Sequence, residues 1–150
     1  MEEKSTKNST AQMLEELIKN LAMGKQSLMN ILPKTKSTAL KDELTEQLDD
    51  YGKFCDEAKA LLDSAGGEPK SENVFSKLGA KIGIEMNTLM DPSDEHVAQM
   101  VIEGATMGIT QTIRLVREYE NTSCSEEALS LARRTVSYQE KTVEDMKKYL

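Results

Sequence analysis

Tryptophan is absent from this 150-residue chain, which has only two Phe and four Tyr. Aliphatic side chains, alanine and nine methionines must therefore fill the core. Three Pro and eight Gly are too few for a loop-rich protein. No segment alternates apolar and polar residues with a period of two, so no strand is assigned. No apolar run approaches the roughly 20 residues of a membrane span. The start, MEEKSTKNST, is polar and lacks the apolar stretch of a signal peptide, so a cytoplasmic location is expected. Cys55 and Cys124 lie far apart and read as reduced thiols rather than a disulfide framework.

What is present is charge. Lys, Arg, Asp and Glu make up 30% of the chain, hydrophobic residues 38%, and the formal net charge is -7. That balance suits helices with one buried and one wet face. The negative sign disfavours nucleic acid and anionic membrane as partners. The length is that of one domain with a substantial core.

Helical spacing runs along most of the chain. Residues 1–8 are expected to form a flexible tail and residues 9–150 one domain. Ser9 and Gln12 form a capping box. Leu14, Leu17, Leu21, Gly24, Leu28 and Ile31 then alternate spacings of three and four, and Pro33 ends the helix. A second helix starts near Thr38, with Leu40, Leu44, Gln47 or Leu48, Tyr51, Cys55, Ala58 and Leu62 in its seam. Gly66 is its C-terminal cap, with Pro69 beyond. A third helix is predicted over residues 72–90, with Phe75, Leu78, Ile82, Met86 and Leu89 on one face.

Ser93 caps a fourth helix, whose seam is Val97, Val101, Gly104, Gly108, Gln111 or Thr112, Leu115 and Tyr119. Ser123 and Glu126 make a capping box for a fifth, with Leu129, Ala132, Val136, Gln139, Val143, Met146 and Leu150 in its seam. Four helices are long, roughly 33 to 42 Å at 1.5 Å per residue. The first and last pairs have short connections, so each should be an antiparallel hairpin. One long crossover, containing the extra helix, joins them; this is the ferritin-like arrangement among all-α four-helix bundles.

The segments LIKNLAMGKQSL, SAGGEPKSENVFSKLGAKIG and VIEGATMGITQTI resemble successive parts of a bacterial family of ferritin-like proteins of unknown function. That family shares its superfamily with bacterioferritins and rubrerythrins. The resemblance covers roughly residues 11–149. It rests on helix order, the Gly-Gly-x-Pro end of the second helix and the central glycines.

A ferritin-like bundle raises the question of a di-iron centre. Such a centre takes a Glu from each of two helices and a Glu-x-x-His from each of the other two. The one histidine, His96, has Ser93 three residues before it and lies in the first turn of its helix. No Glu-x-x-His occurs. The mid-bundle positions hold Gly24 with Lys25, Cys55 with Asp56, Glu103 with Gly104, and Gln139 with Glu140. Glu103 alone fits a ligand position without strain, so no standard metal site or cofactor is expected.

Glu103 reads either as a buried acid paired with Lys25 or as a flank residue reaching water or a partner helix. Burying it unpaired would be costly, and the flank reading is preferred. For His96, phosphoryl transfer is disfavoured by the acids before it. Two acids after Cys55 disfavour its thiolate, which makes it a structural thiol, whereas Cys124 in a loop is the more oxidisable.

Gly79 to Gly83 and Gly104 to Gly108 are Gly-x-x-x-Gly spacings in helices too polar for a membrane. An interior helix glycine costs about 1 kcal/mol relative to Ala. With Gly24, these glycines therefore predict close helix packing, inside the bundle or across a dimer. The sequence points to a non-enzymatic bundle acting through protein contacts or in stress, as a homodimer or other homo-oligomer with an unknown protein partner. The alternative is an atypical metal-binding or ferroxidase-type site that gathers Glu103, Gln139, Tyr138 and Asp56 at the midplane.

Overall fold

Leu14, Leu17, Leu21, Leu28 and Ile31 all lie buried along one stripe of a single helix, α1, Glu2–Ile31. The computed structural model describes residues 2–67 and 93–150, with side chains from Ser9 onward. Among them are three further helices: α2 (Thr38–Ser64), α3 (Asp94–Tyr119) and α4 (Glu126–Met146). Short 3₁₀ turns, Leu32–Lys34 and Lys147–Tyr149, follow α1 and α4. The described residues contain no strand. The helix expected over residues 72–90, with Gly79 and Gly83, lies outside the described residues.

Local chemistry sets the ends. The Ser37, Ser93 and Ser125 hydroxyls accept from Leu40 N at 3.3 Å, His96 N at 3.2 Å and Ala128 N at 3.2 Å. Each satisfies an amide that its helix leaves open. Acids follow two of these caps, Asp94–Glu95 and Glu126–Glu127, where they complement the helix dipole. Gly66, at φ 79, closes α2. Gly67 N–H reaches Leu62 O at 3.0 Å and Gly66 N–H reaches Asp63 O at 3.0 Å. This is a Schellman end, and it requires the left-handed residue that glycine supplies.

Two expected starts move. Ser125, not Ser123, caps α4, because residues 120–123 are still tied to α3. There Thr122 N–H bonds to Tyr119 O at 3.0 Å, and its hydroxyl donates to the same oxygen at 2.6 Å. α1 runs through Ser9 from Glu2, so Ser9 is not an N-cap and residues 2–8 are helical.

α1 packs against α2 and α3, and α4 packs against α3 and α2. Along the α2–α4 edge, Lys148 pairs with Glu43, Tyr138 OH donates to Asp50 at 2.8 Å, and Arg134 pairs with Glu57. Numbers fall on one helix as they rise on the other, so the two are antiparallel. Ser125 N donates to Thr10 Oγ1 at 2.9 Å and Tyr119 OH to Gln12 Oε1 at 3.5 Å. The start of α1 thus meets the end of α3, and these helices are antiparallel as well. Gly67, past the end of α2, lies against Ala11 at this same end of the bundle. The start of α3 lies at the other end, where the charge of Asp94 is felt by Tyr149.

Between the helices sits one aliphatic core. Met13, Leu14, Leu17, Leu40, Leu44, Leu62 and Leu131 are fully enclosed. Burying each such side chain contributes about 1.5–3 kcal/mol. The buried face of α2 is Leu40, Leu44, Gln47, Tyr51, Cys55, Ala58 and Leu62. In α3 the stripe turns away from the expected seam: Ala105 is buried and Gly104 is exposed. In α4, Thr135 and Thr142 are buried, whereas Val143 is half-buried and Leu150 exposed. No helix among the described residues is long and apolar enough to cross a membrane.

Candidate functional site

A groove of about 290 Å³ opens between α1 and α3 at mid-bundle. Met23 and Leu28 of α1 and Met100 and Met107 of α3 line its sides. Gln47 and Tyr51 of α2 and Gln139 and Thr142 of α4 also line it. These four are buried, so they form its floor.

Their place follows from helical spacing. Gln47 and Tyr51 are one turn apart on the inner stripe of α2, and Gln139 and Thr142 are likewise one turn apart on α4. Gln139 Nε2 donates to the Tyr51 hydroxyl at 3.3 Å. Burial pushes the Tyr51 phenol above its ordinary value, and the bond from Gln139 acts weakly the other way. Tyr51 also meets Tyr138 edge to face, centroids 5.9 Å apart and planes at 88°. That geometry suits the aromatic quadrupole.

Two glycines make room for this floor. A Cβ on Gly24 would lie 3.1 Å from Tyr51 Cε1, and one on Gly108 would lie 2.4 Å from Gln139 Nε2. Among the described residues nothing lies within 4 Å of a Cβ placed on Gly104. Gly24 and Gly108 are therefore close-approach positions within the chain, and Gly104 is not. The close neighbour of α3 at Gly108 is the Gln139 side chain, not a second helix backbone.

The floor retains unmet polarity. Gln47 Oε1 and Gln139 Oε1 are both buried without a hydrogen-bond partner. The side chains are 7% and 4% exposed.

The carboxylates named by the sequence do not converge. Glu103 lines the groove but is exposed and accepts from Gln99 Nε2 at 3.1 Å. Lys25 approaches Gly52 and Cys55 of α2, so the pair with Glu103 that the less favoured reading required does not form. Asp56 is exposed and outside the groove. Tyr138 faces a different, acidic recess with Asp50 and Glu46. Of the four groups expected at one midplane site, only Gln139 and Glu103 share a cavity. The reason is rotational: Asp56 follows the buried Cys55 by one residue, about 100° further round α2. Among the described residues, no three His, Cys, Asp or Glu side chains are placed to hold a metal ion.

The other named groups are structural in setting. His96 is half-buried in the first turn of α3. Cys55 and Cys124 are both buried free thiols, and burial raises each thiol's pKa. Cys124, expected to be the more oxidisable thiol because it lies in a loop, is buried there. Sequence reasoning placed Gln47 and Tyr51 in the seam without a role and missed Thr142. The available signal was polarity at three seam or near-seam positions facing Gln139.

The class these features define is an all-helical bundle with a neutral polar floor beneath a side groove. The chain belongs to the family described as a domain of unknown function, DUF2383, which matches residues 9–118. The match runs from α1 into the last turn of α3 and leaves α4 outside. No curated protein and no solved structure matches the chain.

Proposed function

We propose that this chain is a ferritin-like bundle without a standard di-iron site, acting by protein contact as a homo-oligomer rather than by catalysis. The ferritin-like reading is supported by chain direction. α2 finishes beside Ala11, and α3 begins beside Tyr149 at the opposite end of the bundle. Two antiparallel hairpins with one long crossover have this connectivity. A non-catalytic midplane is supported by its amides and hydroxyls, Gln47, Tyr51, Gln139 and Thr142. These are poor substitutes for the carboxylates that bridge iron.

The observation that carries the contact role is Gly104. It is exposed in the middle of α3, with Met107 in the next turn 57% exposed. An exposed interior glycine gives up about 1 kcal/mol relative to Ala. No described residue of the chain packs there to offset that loss. A second copy approaching this thinned, apolar strip would offset it.

Light scattering on the purified full chain tests the role. A dimer or larger species is expected, with Met107→Glu shifting it towards monomer at unchanged helicity. A wild-type chain that is monomeric at high concentration rejects the reading. Metal analysis finding about two ions per chain, as a di-iron centre requires, rejects the non-catalytic midplane.

A further inference from the structure

The geometry points to a binding site for a small primary amine, an ammonium head on an apolar body, in the groove between α1 and α3. This goes beyond the contact role and does not depend on it.

The floor holds two acceptors that none of its own donors reaches. Gln47 Oε1 and Gln139 Oε1 have no partner, and both side chains line the groove. A buried acceptor left unmade is a standing cost, and an apolar residue of the same shape would remove it. Two such acceptors on facing helices, one beside the other's hydrogen-bonded Tyr51, make a polar cradle rather than an isolated flaw. The final torsion of Gln is broad and soft, so the Gln47 oxygen can turn towards the groove without moving its helix, whereas Gln139 is held with its Nε2 on the Tyr51 hydroxyl.

Charge selects the head group. Among the described residues, Glu103 at the rim is the one charged side chain lining the groove. Acceptors on the floor and a carboxylate at the mouth repel anions and favour a cation. An ammonium carries three donors and no acceptor. Two protons meet the amide oxygens, and the third points to the mouth, where Glu103 sits.

Size and walls select the body. At about 290 Å³ the groove lies at the small end of ligand pockets, roughly 300–1,000 Å³. Met23, Met100 and Met107 give it flexible thioether walls that adapt to a ring or short alkyl chain. Gly104 and Met107 form the mouth, which is open to solvent in the single chain and which a second copy seated on that strip would cover, so amine binding and self-association compete there.

The test uses the full chain carrying ¹³C-methyl methionine. It is titrated separately with 2-phenylethylammonium, neutral 2-phenylethanol and anionic 3-phenylpropanoate. Saturable shifts at Met23, Met100 and Met107 are expected with the ammonium, at a Kd on the order of 1 mM or tighter, and not with the carboxylate. Gln47→Met removes an unpaired acceptor at similar volume, so melting should hold steady while ammonium binding weakens at least about tenfold; Gln139→Met also loses the bond to Tyr51, so it should melt lower as well as bind more weakly. No saturable shift with the ammonium overturns the site. So does equal binding of all three probes, which marks a merely apolar groove. Folded Gln→Met variants that bind as well as wild type overturn it too, because the cradle then plays no part.

Discussion

Tyr51 and Gln139 join four helices at one level. The Gln139 amide donates to the Tyr51 hydroxyl at 3.3 Å, between residues 88 positions apart. The Tyr51 ring lies under Gly24 of α1, and the Gln139 amide lies under Gly108 of α3. Each large polar side chain occupies the space of a methyl group missing from the helix opposite it. Sequence, packing and the floor of the groove meet in this pair.

The two glycines of α3 should therefore respond oppositely to alanine. At Gly104 a methyl meets nothing within the chain, so in dilute, monomeric conditions Gly104→Ala gains helix propensity and raises unfolding stability by up to about 1 kcal/mol, while it should weaken the proposed self-association. At Gly108 the same methyl would lie 2.4 Å from Gln139 Nε2 and displaces it from Tyr51. The lost bond and overpacking outweigh the propensity gain, so stability falls by on the order of 1 kcal/mol. Urea unfolding of both variants decides this; equal shifts would contradict the packing described.

The α2 terminus makes a sharper demand. Gly66 sits at φ 79, where an L side chain is strained. Gly66→Ala should cost about 1–2 kcal/mol although nothing lies within 4 Å of the added methyl. A thermal melt unchanged from wild type would mean that α2 ends differently.

Capping separates two serines in one loop. Ser125→Ala removes the acceptor for Ala128 N and should lower stability by about 1 kcal/mol. Ser123→Ala, at an exposed position before the helix, should change little. The opposite order in a melting comparison would restore Ser123 as the cap.

Alkali should expose the tyrosines late. All four phenols have raised pKa values. Burial dominates for Tyr51, Tyr119 and Tyr138, whereas the bond to Glu43 pushes Tyr149 up to about 12. A folded pKa above the unfolded value, near 10, stabilises the fold fully below about pH 10. That contribution is lost as pH rises through the folded values. Phenolate absorbance should therefore rise at higher pH in the native chain than in urea, with unfolding following above about pH 10. Coincident native and urea curves would refute the enclosure of these rings.

Much of the bundle was legible because apolar spacing is a local property. The α2 seam from Leu40 to Leu62, the Ser93 cap and the Gly66 stop each depend on residues within a few turns. Rotation was less legible in α3. Gly104 and Ala105 are both small, and a helix drifts about 20° per heptad from a strict seven-residue repeat. The seam therefore passed to Ala105, and Gly104 turned outward. The α4 start was blurred by two serines at Ser123 and Ser125, between which only the Thr122 bonds to Tyr119 decide.

The sequence by itself determined an all-helical chain, its main breaks, and the lack of any Glu-x-x-His, because periodicity, caps and ligand motifs are written in neighbouring residues. Only the tertiary structure decided that Gln47, Tyr51, Gln139 and Thr142 share one floor, that Glu103 stands at its rim, and that Asp56 faces away. Those outcomes depend on helix direction and rotation, which the packing of α2 against α4 and α1 against α3 fixes over separations that no local pattern encodes.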